Sequence, residues 1–146
     1  MKSQSPLNQI YKKGLYGDYE NKNEENLIKI QEVSNLSIFQ IVKYKNSKVS
    51  TNDLDVDGLK LSEKTNSVIS NGKTRVLWFG PNNWLAVSED KNLFHKVNKN
   101  AKETDFAITD LSNSRTIIEI EGKLIKEVLK KGCPFNFNEL NKNNCI

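Results

Sequence analysis

At 146 residues, with 36% hydrophobic and 27% charged side chains, the chain suits one domain with a modest core and lies outside the disordered range. The net charge is +4, but only Arg75 and Arg115 are arginines, and residues 1–70 hold 10 Lys against 9 acids while residues 71–146 hold 12 basic residues against 9 acids. Such even spacing makes no basic stripe and argues against a nucleic-acid surface.

No apolar run approaches the roughly 18–20 residues of a bilayer span, so no membrane association is expected. The start, Met1-Lys2-Ser3-Gln4-Ser5-Pro6-Leu7, lacks the apolar stretch of a signal peptide. Cys133 and Cys145 are too few for a disulfide framework. Together these features suggest a cytoplasmic protein.

In chain order, residues 1–26 are polar apart from Leu7, Ile10, Tyr11, Leu15, Tyr16 and Tyr19, and are expected to form an irregular arm docked by its tyrosines. A single α+β domain is expected over 27–146. Leu27 to Val33 alternates as a strand does, Ser34-Asn35 breaks it, and Leu36 to Tyr44 supplies a second strand. Residues 49–59 suggest a weak short helix ending near Gly58. Within it, Asp53-Leu54-Asp55-Val56-Asp57-Gly58 has the spacing that opens a calcium loop, but Lys64 stands where that loop requires a bidentate Glu, so an acidic surface turn is the better reading.

Thr74 to Phe79 is a largely apolar strand. Gly80-Pro81-Asn82-Asn83 is a turn, since Pro presets φ and Asn tolerates positive φ, and Trp84 to Val87 is the returning strand. One tryptophan on each side of this turn, Trp78 and Trp84, predicts a hairpin with at least one ring deeply buried and the other partly exposed. Ser88-Glu89-Asp90 has helix N-cap chemistry, and Leu93, Phe94 and Val97 give the following helix an apolar face. Further strands are expected over 104–110 and 115–121, the second with Thr116, Ile118 and Ile120 on one face.

Lys123 to Lys131 predicts a helix with Leu124, Ile125, Val128 and Leu129 as a buried stripe, Gly132 as C-cap and Pro134 preventing continuation. Asn136 to Asn144 is expected to be loop. The mixture of hairpins and short helices predicts an α+β fold with a mainly antiparallel sheet and two or three short helices.

Catalytic chemistry has few sources. His95 is the only histidine and has no evident orienting partner. One His with two Cys does not make a zinc site. Cys133 follows a helix C-terminus, where the dipole disfavours a thiolate, and is expected to be a small buried apolar group.

Several motifs, in order, resemble one family. Leu77-Trp78-Phe79-Gly80-Pro81-Asn82-Asn83-Trp84-Leu85 is similar to the hairpin of the gamma subunit of heterotetrameric sarcosine oxidase. Asp110-Leu111-Ser112-Asn113-Ser114-Arg115-Thr116 looks like that family's turn, and Gly122 to Leu129 like its helix. Lys131-Gly132-Cys133-Pro134-Phe135-Asn136-Phe137 is similar to the segment after it. Upstream, Glu32 to Gln40 fits as well. The resemblance covers roughly residues 27–146, and its motifs follow one another in the same order.

It implies a fold akin to the folate-binding domain of aminomethyltransferases, and an accessory place in a complex that oxidatively demethylates sarcosine to glycine. The expected partners are the alpha, beta and delta subunits. FAD, FMN, NAD and tetrahydrofolate would sit on those partners, so no catalytic, cofactor-binding or metal-binding residue is expected here. The family residues Trp78, Gly80, Pro81, Trp84, Asp110, Arg115, Gly132, Cys133 and Pro134 are expected to be structural. The family continues through a further strand where this sequence ends at Cys145-Ile146, which predicts a short or truncated C-terminal edge. Lys131-Gly132-Cys133 also resembles the K-G-C-Y-x-G-Q-E motif of folate-dependent iron–sulfur assembly proteins, but Pro134 and Phe135 follow and the Gly-Gln-Glu is missing. The alternative from the same fold resemblance is a stand-alone folate-binding protein of the aminomethyltransferase type, with Asp110 facing the pterin.

Overall fold

A computed structural model describes residues 5–7, 9–10, 12–17 and 24–146. In chain order the strands and helices begin with β1 (Gly14–Tyr16), β2 (Ile28–Val33), β3 (Ser37–Lys43), β4 (Asp55–Val56), β5 (Leu59–Lys60), β6 (Val68–Ser70) and β7 (Thr74–Gly80). They continue with β8 (Asn83–Ser88), α1 (Leu93–Asn100), β9 (Phe106–Asp110), β10 (Ile117–Glu121) and α2 (Ile125–Lys130). The architecture is α+β, with mostly antiparallel sheet and two helices, as composition and turn chemistry predict.

The chain divides into two compact units, one of Met1–Ser34 with Thr116–Leu140 and one of Asn35–Arg115 with Asn141–Ile146. Residues 116–140 thus fall in the same unit as the start of the chain.

The first unit is a three-stranded antiparallel sheet, ordered β1-β2-β10, with α2. Ile30 pairs with Ile120, while Lys29 pairs with Glu121 and Gln31 with Glu119. Because side chains alternate, the isoleucines share one face and the polar pairs the other. On that polar face Lys29 Nζ lies 3.0 Å from Glu121 Oε2, and Gln31 donates to Glu119. Part of the expected irregular arm is in fact a strand: Gly14, Leu15 and Tyr16 pair with Ile30, Lys29 and Ile28. Three residues are too few to show periodicity on their own. Tyr16 is exposed, and Tyr11 and Tyr19 lie outside the described residues.

The helix expected over 123–131 is shorter, Ile125–Lys130, and none of its residues is buried. Leu124 is 42% and Val128 49% exposed, so the anticipated buried stripe is only half covered. Gly132 is not left-handed. The helix ends instead with Gly132 and Cys133 both donating to the Leu129 carbonyl. Gly122, between β10 and α2, does have positive φ, at 151, and a Cβ there would lie 2.9 Å from the Leu27 carbonyl oxygen.

The second unit holds a five-stranded antiparallel sheet in the order β6-β7-β8-β3-β9, the two-stranded β4-β5, and α1. Its core contains Phe39, Ile41, Leu54, Val56, Leu61, Val76, Trp84, Ala86, Leu93, Val97 and Phe106. The face they share follows from register: Phe39 pairs with Ala86, Ile41 with Trp84, and Val76 with Ala86. Leu93 and Val97, one helical turn apart, bring α1 onto that core. The residue before α1 is Asn92 and makes no side-chain cap. The predicted cap residues act one step earlier: Asp90 N–H donates to Ser88 Oγ at 3.1 Å, and Asn92 N–H to Asp90 Oδ1 at 2.9 Å.

The weak helix expected over 49–59 is replaced by a single 3-10 turn, Thr51–Asp53, and the tight β4–β5 hairpin. Ser50 and Asp53 cap each other's backbone at the start of that turn, and Leu54 after it is extended. Asp57 at φ 60 and Gly58 at φ 79 then form the hairpin turn, which needs positive φ at both central positions. Asn136–Asn144 is mainly loop, but Asn144 bridges to Ser67, and the N–H groups of Val68 and Cys145 donate to Asn143 and Asn66.

Candidate functional site

The Trp hairpin lies where the sequence places it. Trp78 pairs with Trp84 and Gly80 with Asn83, with an irregularity between Trp78 and Gly80. That leaves Pro81 and Asn82 as the two-residue turn, and Asn82 takes φ 56. Trp84 is 1% exposed, and its indole N–H donates to the Ser62 carbonyl at 2.7 Å. Directly paired residues point to one face, so Trp78 packs beside it, half-buried against the same core. Phe79, at the irregularity, is 62% exposed. The Cys145 thiol donates to the Trp78 carbonyl at 3.4 Å, and burial pushes its pKa up, away from a reactive thiolate.

Of the other residues in the motifs, Asp110 and Arg115 lie at the turn after β9. Asp110, exposed at the end of β9, accepts from the Ser112 N–H at 2.9 Å. Ser112 Oγ accepts in turn from the Ile38 N–H at 3.0 Å, which ties the turn to β3. Arg115 is exposed, and its N–H donates to the Leu111 carbonyl. In the other unit Gly132 and Pro134 are exposed. Cys133 is half-buried and free, less covered than a core position. His95 is exposed beside Phe94, with ring centroids 5.2 Å apart.

A polar row crosses three strands of the second unit, and sequence reasoning missed it. Ser37 pairs with Ser88, and Ser88 with Thr74. All three are buried, and Thr74 Oγ1 lies 2.7 Å from Ser88 Oγ. Thr74 also donates to Asp57 Oδ2 at 2.6 Å. The Ser37 hydroxyl is buried without a partner. The signal available was a Ser or Thr at a core-facing register position, which is easily taken for turn chemistry.

The three Asp residues of the calcium-like spacing do not converge. Asp53 accepts from Ser50 N–H and Asp55 from Gly58 N–H, while Asp57 accepts from Thr74 and Asn71. The Thr74 hydroxyl, with the Asn71 amide, holds the Asp57 carboxyl below its ordinary value. Among the described residues, no group of three or more His, Cys, Asp or Glu is placed to hold a metal ion.

Each unit has a cavity. The first unit's, about 210 Å³, is lined by Tyr16, Gly17, Ile28, Ile30, Ile120 and three residues of α2, and is apolar. The second unit's, about 280 Å³, lies beside Asp53, Asn100, Lys102 and Asp105. Asp110 lines neither. The arrangement can position backbone and present aromatic surface, with the Trp84 indole N–H and the Asp110 carboxylate bonded to main-chain groups.

No protein-family model matches the chain, and no curated protein matches it. Among solved structures, the fold is similar to a chain of the heterotetrameric sarcosine oxidase from Corynebacterium sp. U-96 in complex with pyrrole 2-carboxylate. The TM-score is 0.69 at 23% identity, covering 80% of this chain and 62% of that one. This chain therefore spans less than two thirds of that chain's length. At that identity the likeness establishes a common fold. No helix among the described residues is long and apolar enough to cross a membrane.

Proposed function

We propose that this chain is an accessory, gamma-type subunit of a sarcosine-oxidase-like complex, which demethylates sarcosine to glycine and passes the one-carbon unit to tetrahydrofolate. The observation that carries this reading is the fold shared with a chain of such a complex. The ordered family motifs support it, because the residues they single out here hold a hairpin and a turn. Trp78 and Trp84 pack the hairpin core, and Asp110 fixes the turn after β9. In this role FAD, FMN, NAD and tetrahydrofolate belong to the alpha, beta and delta partners, and this chain supplies docking surface. Exposed Phe79, on the hairpin, is the contact of the kind that anchors interfaces.

Co-expression with flavoprotein alpha, beta and delta chains, followed by size-exclusion chromatography, tests the proposal. The expected result is co-migration with the flavoprotein, and Phe79→Ala weakening it. Migration of this chain alone, with the other three assembled, refutes it. Calorimetry with tetrahydrofolate on the isolated chain is expected to give no heat of binding.

A further inference from the structure

The sequence contains an Asp-Gly pair, Asp57-Gly58, and an Asn-Gly pair, Asn71-Gly72. The fold brings the two acyl side chains together. Asn71 Nδ2 donates to the Asp57 carbonyl at 2.8 Å and to Asp57 Oδ2 at 2.9 Å. Both pairs occupy turns of the second unit: Asp57-Gly58 joins β4 to β5, and Asn71-Gly72 lies between β6 and β7. Gly72 has φ 97, so both turns use the left-handed region.

We propose that Asn71 is a deamidation site whose rate is set by Asp57. In the reaction the deprotonated main-chain nitrogen of Gly72 attacks Cγ of Asn71. A new C–N bond forms, the Cγ–Nδ2 bond breaks, and the side-chain nitrogen takes protons from water and leaves as ammonia. Water then opens the resulting cyclic imide at either carbonyl, giving aspartate or isoaspartate, with no change of oxidation state. Glycine favours the attack because no Cβ obstructs it, and a Cβ built on Gly72 meets nothing within 4 Å.

In the closed fold both reacting groups are held apart from this path. The Gly72 N–H donates to Ser70 Oγ at 3.1 Å. Asn71 Oδ1 accepts from the N–H groups of Lys73 at 3.1 Å and Thr74 at 2.8 Å, which fixes the side-chain rotamer. The two Nδ2 bonds to Asp57 complete the hold. Asp57 is itself anchored on buried Thr74, whose hydroxyl also contacts Ser88. Attack therefore waits for local opening of the 70–74 turn, which the bonds to Asp57 tie to the β4–β5 hairpin. The product puts a second carboxylate against that of Asp57 and removes two N–H donors, so the converted turn opens more easily. Asn71 is thus a one-way mark of how long this part of the chain has stood open.

The test follows isoaspartate and the mass gain of amide-to-acid conversion in the Asn71 peptide during incubation at mildly alkaline pH. The full chain is compared native, unfolded in urea, and as native Asp57→Gly, a change that keeps the left-handed turn. The native chain is expected to deamidate at least about tenfold more slowly than the unfolded one, which corresponds to about 1.4 kcal/mol of opening free energy. Asp57→Gly moves the native rate severalfold toward the unfolded rate. Equal native and unfolded rates overturn the proposal, as does an unchanged rate in folded Asp57→Gly. If Asp57→Gly does not fold, Thr74→Val removes the anchor of the same carboxylate, and an unchanged rate in that variant overturns it.

Discussion

Replacing Trp84 with Phe isolates what the buried member of the tryptophan pair does. The indole N–H to Ser62 carbonyl bond is 2.7 Å long and belongs to a side chain only 1% exposed. Losing such a bond costs about 1 kcal/mol net, and a carbonyl left without a donor raises this toward about 2 kcal/mol. The smaller ring also leaves part of its site unfilled among Phe39, Ile41 and Ala86, so full truncation to Ala would cost about 3–5 kcal/mol. For Trp84→Phe the expected loss is therefore about 2–3 kcal/mol. Trp78→Phe alters a half-buried ring on the same face and should cost about 1 kcal/mol or less. Urea unfolding followed by circular dichroism measures both, and the melting temperature should fall by about 2–4 °C per kcal/mol. If Trp84→Phe is no more destabilising than Trp78→Phe, the assignment of the buried anchor is wrong.

Ser37→Ala removes a buried hydroxyl that has no partner, so stability should be unchanged or rise by up to about 1 kcal/mol. A clear loss in the same urea titration would show that the hydroxyl is engaged. Two glycines of the first unit should separate sharply. Gly122→Ala places a Cβ 2.9 Å from the Leu27 carbonyl oxygen at φ 151, and should cost more than about 1 kcal/mol. Gly132→Ala meets open space without positive φ, and should be neutral or gain about 0.4–1 kcal/mol, although the glycine belongs to a family motif. Equal effects would refute the conformational account of both.

The elements that could be foreseen carry their cause locally. In β3, β7 and β8 apolar residues and a Pro-Asn turn suffice, because Pro81 and Asn82 each fix a backbone angle. Leu93 and Val97 reveal α1 through one helical turn of spacing. β1 and β6 are three residues each and exist only because β2 and β7 offer them partners. Residues 49–59 read as a poor helix, since Asp and Ser are weak helix formers. What replaced the helix depended on the positive φ of Asp57 and Gly58, which closes the β4–β5 hairpin. In the candidate site the Trp pair was legible, since two large rings beside a turn have few places to go. The Ser37–Ser88–Thr74 row was not, because adjacency across three strands depends on register. Asp57 drew attention as a calcium ligand, while its actual partners, Asn71 and Thr74, lie 14 and 17 residues away.

The pairing of β2 with β10 has a consequence for synthesis. Gln31 and Glu119, partners in that ladder, are 88 residues apart, and the whole strand system of the second unit is translated between them. At about 5–20 residues per second, β2 leaves the ribosome on the order of 4–18 s before its partner does. Through that interval Ile28 and Ile30 have only the three residues of β1 to pair beside them. The nascent chain thus carries an unfinished apolar ribbon while its later-made sheet is already able to close. A strand made early is thus among the last to be finished.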